Sequence, residues 1–294
     1  MTAMNRRSFL KSAGALAVPL AAAQAQGAKF RISLAEWSIH KAIRAHSLSN
    51  LDFPEIAHRN GIVGLEFVNQ LWEAPLQDYL ERLKQNIARY NCKAVLIMCD
   101  GEGAMGHSDP AARKKAAENH YKWADYAAEL GCHSIRCNMH PDKQPTTPAE
   151  IDAYIGYCAD SFTRLCEYGK SRGLNVIIEN HGGVSSDPDV VVRLMKMVNL
   201  PNFGTLPDFG NFPKTIDRYE AVRKLMPYAK GVSFKCFDFD STDHDTVIDM
   251  DKMMKIVLDS GYHNWVGIEY EGERQTEFEG IAAGKRYLDK LLAA

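Results

Sequence analysis

Eight short runs of apolar and β-branched residues punctuate the chain past residue 28, at 31–36, 62–67, 93–98, 133–138, 174–179, 203–208, 231–235 and 266–270. Each is short for a helix and long enough for a strand, and every run but the last is followed by a longer segment with helical spacing, such as 111–130 and 148–171. Gly61, Gly131, Gly173 and Gly261 stand just ahead of the next run, where a helix stops most easily on a residue free to take positive φ. Strands alternating with helices build a parallel sheet covered on both faces, which accounts for runs that are apolar throughout. A doubly wound open sheet shares that alternation, but no glycine-rich dinucleotide fingerprint follows the first run. Eight units, and a length suited to about 250 residues, predict a (β/α)8 barrel, the TIM barrel, as a single domain over residues 26–294.

Residues 1–25 read differently. Arg6, Arg7 and Lys11 precede an apolar run at 13–22 that is interrupted by Gly14 and Pro19 and closes on Ala23-Gln24-Ala25, with no acidic residue. The run is too short to span a bilayer and is expected to be a signal peptide. Asn5-Arg6-Arg7-Ser8-Phe9-Leu10-Lys11 resembles the twin-arginine export signal, with Asn5 where Ser or Thr is commoner. That route moves folded proteins, often with a metal or cofactor already loaded, so a periplasmic or otherwise exported location is expected. Cleavage takes three positive charges from a formal net of −2 and leaves about −5, which speaks against nucleic acid or an anionic membrane as partner. The seven cysteines are odd in number and lack a CxxC pair, so no disulfide framework is expected. Several, such as Cys99 and Cys137, sit within or beside apolar runs as small hydrophobes.

In a parallel barrel the carboxyl ends of all strands open on one face, so what closes each apolar run decides the chemistry. Glu36 and His40 follow the first, Glu66 and Asn69 the second, Asp100 and Glu102 the third, Asn138 and His140 the fourth. Glu179, Asn180 and His181 follow the fifth, Asp208 and Asn211 the sixth, Ser233, Lys235 and Asp238 the seventh, Glu269 and Glu271 the eighth. Any one of these suits a solvated strand end or a helix cap. Together they converge on one mouth, where carboxylates repel unless a cation or protons neutralise them. A divalent metal is the simplest neutraliser, and Glu179, Asp208 and Glu269, each tied to an apolar run, are the expected ligands. An all-oxygen set suits Mg²⁺ or Mn²⁺ better than zinc.

At these residues the chain resembles the sugar phosphate isomerase/epimerase superfamily, the xylose isomerase-like barrels that also include endonuclease IV-type enzymes. The resemblance covers essentially the whole mature chain. Its carriers are Ile177-Ile178-Glu179-Asn180-His181, Leu206-Pro207-Asp208-Phe209-Gly210-Asn211, Phe234-Lys235 and Gly267-Ile268-Glu269-Tyr270-Glu271-Gly272. Ala35-Glu36-Trp37-Ser38 and Met98-Cys99-Asp100-Gly101-Glu102-Gly103 are similar to segments of an exported branch of that superfamily. The resemblance implies one Mn²⁺, Mg²⁺ or Co²⁺ held by a fifth-strand Glu, a sixth-strand Asp, a seventh-strand His and an eighth-strand Glu. Glu179, Asp208 and Glu269 match three of those positions. Ser233-Phe234-Lys235 stands where the family reads His-x-Lys, and Asn211 where a His commonly follows the Asp. Loss of the imidazole implies weaker metal binding or a changed preference, with the Lys235 ammonium a rival for the cation's place.

For chemistry the resemblance implies an isomerase or epimerase in which Glu179 and Glu269 act as base and acid on the carbon beside a substrate carbonyl, through a metal-stabilised enediolate. Lys235, His181, Glu36, Trp37, Asn211 and His140 are the expected substrate contacts, with Trp37, Trp72 and Phe212 offering apolar faces for sugar rings. Two alternatives stay open: a lyase on keto-glycosides in the same fold, and a non-catalytic sugar-binding protein. A nuclease is disfavoured, because the histidine cluster for three zincs is not evident. The expected partner is a small carbohydrate without phosphate, since no glycine-rich loop opens a helix and Arg136 is a lone arginine in the fourth run that equally serves a buried ion pair. No stable membrane span is expected, and an oligomer is allowed.

Overall fold

The computed structural model describes residues 29–73 and 77–294, so the export segment read at 1–25 lies outside the described residues. The eight strands form close to their expected bounds: β1 (Arg31–Ala35), β2 (Gly64–Val68), β3 (Lys93–Cys99), β4 (Ser134–Cys137), β5 (Asn175–Glu179), β6 (Phe203–Leu206), β7 (Val232–Cys236) and β8 (Trp265–Tyr270). All pairings are parallel, in the order β6-β5-β4-β3-β2-β1-β8-β7. Bridges Thr205 to Ala229 and Asp208 to Ser233 then bring β6 against β7, with Ser233 N donating to Pro207 O at 3.0 Å, and the barrel is nearly closed. β6 stops at Leu206, short of the expected 208, where Pro207 has no N–H to give a ladder.

Among the described residues ten α-helices accompany the strands: α1 (His40–Arg44), α2 (Phe53–Arg59), α3 (Gln77–Arg89), α4 (Pro110–Asn119), α5 (Tyr121–Leu130), α6 (Pro148–Lys170), α7 (Pro188–Val198), α8 (Arg218–Leu225), α9 (Met250–Asp259) and α10 (Glu277–Ala293). The stop glycines take positive φ as expected, +68° at Gly61 and +76° at Gly131. Two features differ from the sequence expectation. The segment 111–130 is two helices, broken at buried His120, whose Nδ1 lies 2.8 Å from Ala116 O and ties the ring back to the preceding turn. The eighth strand is followed by a helix after all, announced by the capping box of Thr276 with Glu279. All seven cysteines are free and all but Cys92 are buried. Among the described residues no helix is long and apolar enough to cross a membrane.

Two carboxyls are sealed inside the framework. Glu66 on β2 accepts from Ser33 Oγ at 2.5 Å, and it lies across from Gly267 of β8, where an added Cβ would come within 2.4 Å of both carboxylate oxygens. Glu36 was expected among the substrate contacts; instead it is fully buried, accepting from Val68 N at 2.9 Å and Asn50 Nδ2 at 2.6 Å. It therefore fastens the end of β1 to the end of β2 and does not face the cavity. Burial pushes both carboxyls up to about 8, against the opposing pull of their hydrogen-bond donors.

These shifts set a pH dependence. A folded pKa of about 8 against an ordinary 4.5 means that the native chain holds protons the unfolded chain has lost. The stabilisation is complete below 4.5 and disappears as pH rises through 8. The free energy of unfolding in urea should therefore fall between about pH 6 and about pH 8, by on the order of 1 kcal/mol per pH unit per group, and Glu36→Gln should flatten that slope. A slope unchanged by the substitution would show that Glu36 is ionised in the native state.

Candidate active site

The parallel barrel delivers three acids to one point. Glu179 ends β5, Asp208 follows β6 and Glu269 lies one residue from the end of β8; each offers an oxygen within 4.8 Å of the others. All three are buried, and five neighbouring groups fix their orientation. Asp208 Oδ1 accepts from the backbone N–H groups of Gly210 (2.8 Å) and Asn211 (2.7 Å), and its Oδ2 accepts from Ser233 Oγ (2.7 Å). Asn211 Nδ2 donates to Glu179 Oε1 at 2.9 Å. Lys235 Nζ lies 3.0 Å from Glu269 Oε1, 3.3 Å from Glu271 Oε2 and 3.9 Å from Asp208 Oδ2, and donates to Asn211 Oδ1 at 3.0 Å.

A second buried cation sits on β4. Arg136 Nη1 lies 2.6 Å from Asp100 Oδ1 and its Nε 2.9 Å from Glu179 Oε2. The Nε and Oε2 atoms are too poorly aligned for a hydrogen bond, so their attraction is Coulombic and both keep unused capacity. Asn138 Nδ2 also donates to Asp100 Oδ1, which leaves the buried Asn138 Oδ1 without a donor. The strand ends carrying these acids are themselves clamped. Asn180 exchanges two hydrogen bonds with the backbone of Asp208 (2.8 and 2.9 Å), and Asn69 does the same for Asp100 (2.9 Å each).

The electrostatics follow from five carboxylates, Asp100, Glu179, Asp208, Glu269 and Glu271, sharing two cations. Burial raises the Glu179 carboxyl well above the usual range; Arg136 pulls it back, and Glu269 and Asp208 push it further up. Asp208 is pushed up to about 6, chiefly by burial, with Lys235 opposing. Burial disfavours the Lys235 ammonium, but Asp208, Glu269, Glu179 and Glu271 outweigh it and hold the proton on. The Asp100 carboxyl is drained of solvent yet lowered by the charge of Arg136. His140 and His181 are lowered, mainly by burial, and are neutral near pH 7.

A divalent cation fits this set. Glu179 Oε2 is buried and accepts no hydrogen bond. Ser233 Oγ lies 2.7 Å from Asp208 Oδ2 and 3.4 Å from Glu269 Oε2, and its single proton cannot satisfy both. Converging carboxylate oxygens short of donors are what a hard cation takes up.

Above the triad opens a cavity of about 400 Å³, within the range of small-molecule sites. Glu269 is the triad member that lines it, together with Glu271, Trp37, His140 and His181 among the expected residues. Trp37 stacks on His40 with ring centroids 4.5 Å apart and donates its Nε1 to Glu271. Lys235 and Asn211 lie behind the triad and act on it from there. Glu66 is sealed below, Glu102 bonds Trp123 Nε1 at 2.5 Å, and Asp238 pins the loop after β8 through Tyr270 OH at 2.8 Å. Trp72 packs into an aromatic cluster with Phe67 and Trp123, and Phe212 is buried away from the cavity lining. Sequence reasoning missed the Asn69 and Asn180 clamps and the wall supplied by Gln70 and Met98. An Asn one residue beyond each strand was the available signal for the clamps.

A family model described as "Xylose isomerase-like TIM barrel" matches residues 54–291. Comparison with curated proteins gives no match. Among solved structures, the chain is similar to apo 3-keto-D-glucoside 4-epimerase from E. coli, with 15% identity, 89% of this chain and 99% of that one covered, and a TM-score of 0.71. It is similar to a D-tagatose 3-epimerase-like protein (15% identity, 90% and 97% covered, TM-score 0.70). It is also similar to a xylose isomerase-like TIM barrel protein from Mycobacterium smegmatis in complex with magnesium (15%, 90% and 96%, 0.64).

Because Arg136 compensates Asp100 and Glu179 inside the barrel, its removal strands the buried Glu179 and the half-buried Asp100. Arg136→Met should cost about 3–5 kcal/mol of stability in chemical denaturation, and Arg136→Lys, which keeps the charge but not the fork, should recover part of it. An unfolding midpoint unmoved by Arg136→Met would mean that the two acids are protonated or otherwise neutralised.

Proposed function

The chain belongs to the xylose isomerase-like TIM barrel family, and from that premise we propose that it is a divalent-metal-dependent isomerase or epimerase acting on an uncharged carbohydrate. The observation that carries this reading is the convergence of Glu179, Asp208 and Glu269 within 4.8 Å beneath the cavity. The similar solved structures named for sugar epimerases, and the one holding magnesium, support it.

Glu179, Asp208 and Glu269 would hold the cation, which supplies Lewis-acid stabilisation to the oxygens of a carbonyl and its neighbouring hydroxyl. The protein's own groups do the rest. Glu269 faces the cavity and is the carboxylate a substrate meets first, so it takes the proton from the carbon beside the carbonyl. Glu179 returns a proton from the other side, which inverts the centre or delivers the proton to the adjacent carbon. Arg136 and Asn138 line the cavity and are placed beside a bound sugar. The surplus of carboxylates over cations disfavours substrates bearing phosphate or carboxylate.

The test is proton exchange. The purified protein with Mn²⁺ or Mg²⁺, incubated in D₂O with free ketoses and 3-keto-glycosides, should place deuterium at the carbon beside the carbonyl, read by NMR. Glu179→Gln and Glu269→Gln should each lower the rate by at least about 100-fold. Exchange that persists in both variants would sink the two-carboxylate mechanism. Export belongs to the same reading, since sugars outside the cytoplasm are met without phosphate. N-terminal sequencing of the exported form should begin near residue 26, and a cytoplasmic, uncleaved chain would remove this part.

A further inference from the structure

We propose that Lys235 is an exchangeable counter-ion of the triad, shared between Glu269 and Glu271 with Asp208 at the edge of its reach, and drawn fully to Glu271 when a divalent cation binds, so that it sets metal affinity. The inference rests on the reading of the triad as a cation site. Its ground is that one ammonium touches two kinds of carboxylate. Glu269 at 3.0 Å and Asp208 at 3.9 Å belong to the triad; Glu271 at 3.3 Å does not.

The carbon stem of Lys235 has little freedom. A Cβ added at Gly210 would meet its Cδ at 2.6 Å and its Cγ at 2.7 Å, so the glycine's bare face walls the stem. Only the tip can move, and Asn211 Oδ1 at 3.0 Å remains its neighbour on the inner side. Glu271 is a fixed destination. Its Oε1 accepts from Trp37 Nε1, and Trp37 in turn stacks on the ring of His40 and carries the guanidinium of Arg44 4.7 Å from its ring centre. Glu271 keeps 29% of its side chain exposed, so an ammonium leaning on it is better solvated than one leaning on Glu269.

An oxygen ligand lies about 2.1 Å from a bound Mg²⁺ or Mn²⁺. A cation on Asp208 Oδ2 would thus stand no more than about 6 Å from the ammonium in its present place, given the 3.9 Å contact. Like charges at that separation shift ionic equilibria by factors of roughly ten to a thousand. The ammonium offsets part of the triad's charge, and it must yield for metal to bind.

The experiment is titration of Mn²⁺ alone into the purified full chain by calorimetry, with electron paramagnetic resonance of free Mn²⁺ as a second readout. It compares the unmodified protein, Lys235→Met, Glu271→Gln and the double variant. Lys235→Met should bind Mn²⁺ at least about tenfold more tightly. Glu271→Gln should bind several-fold more weakly, and this loss should vanish in the Lys235→Met background. Equal or weaker binding by Lys235→Met overturns the proposal and leaves the metal site standing. A loss from Glu271→Gln that persists without Lys235 reduces Glu271 to a distant charge and overturns the exchange. Should Lys235→Met not fold, Glu271→Gln alone decides, unchanged affinity counting against the exchange. No Mn²⁺ binding by any variant overturns the cation site itself.

Discussion

Everything at the mouth of this barrel is conditioned by repulsion between carboxylates that the parallel topology forces together. Strands running the same way end on the same face, so acids that close separate apolar runs cannot avoid each other. Glu179, Asp208 and Glu269 sit within 4.8 Å, in surroundings that strip away water. Two cations make this tolerable, Arg136 from β4 and Lys235 from β7, approaching from opposite sides of Glu179 and Glu269 respectively. Neither completes the neutralisation, and the remaining negative charge is what makes the site ready for a further cation or for protons.

Repulsion would splay flexible acids, so the second requirement is rigidity. It comes from the backbone. Asp208 is held at its carboxylate by two N–H groups of its own loop and at its main chain by Asn180. Asp100 is held in the same way by Asn69, half a barrel away. Each clamp spans neighbouring strands, so the hydrogen-bond ladder is extended one step past its end by a side chain. Gly267 contributes by absence, leaving the space that the Glu66 carboxyl fills beneath Glu269.

How much of this was legible in the sequence follows from the range of the forces involved. The strands were legible because a strand buried on both faces must be apolar throughout, and helix ends because Gly131 or Gly173 takes a backbone conformation that few residues tolerate. The triad was legible because position along a strand converts directly into position in the barrel. Glu36 was misread because its partners, Asn50 and the Val68 amide, are brought to it by packing that no local pattern records. The break at His120 and the orientation of Trp72 into an aromatic cluster have the same origin. Lys235 was visible as a cation near acids, but which of three carboxylates it leans on depends on the wall at Gly210 and the anchoring of Glu271.

The division of labour inside the barrel follows from these placements. Strands β5 to β8 carry the triad and its ammonium, and strands β3 and β4 carry Asp100, Arg136 and Asn138, which line the same cavity. Arg136 belongs to both halves, since it touches Asp100 on one side and Glu179 on the other. The one guanidinium charge thus offsets Asp100 and Glu179 together, so a change at either acid alters the balance felt by the other.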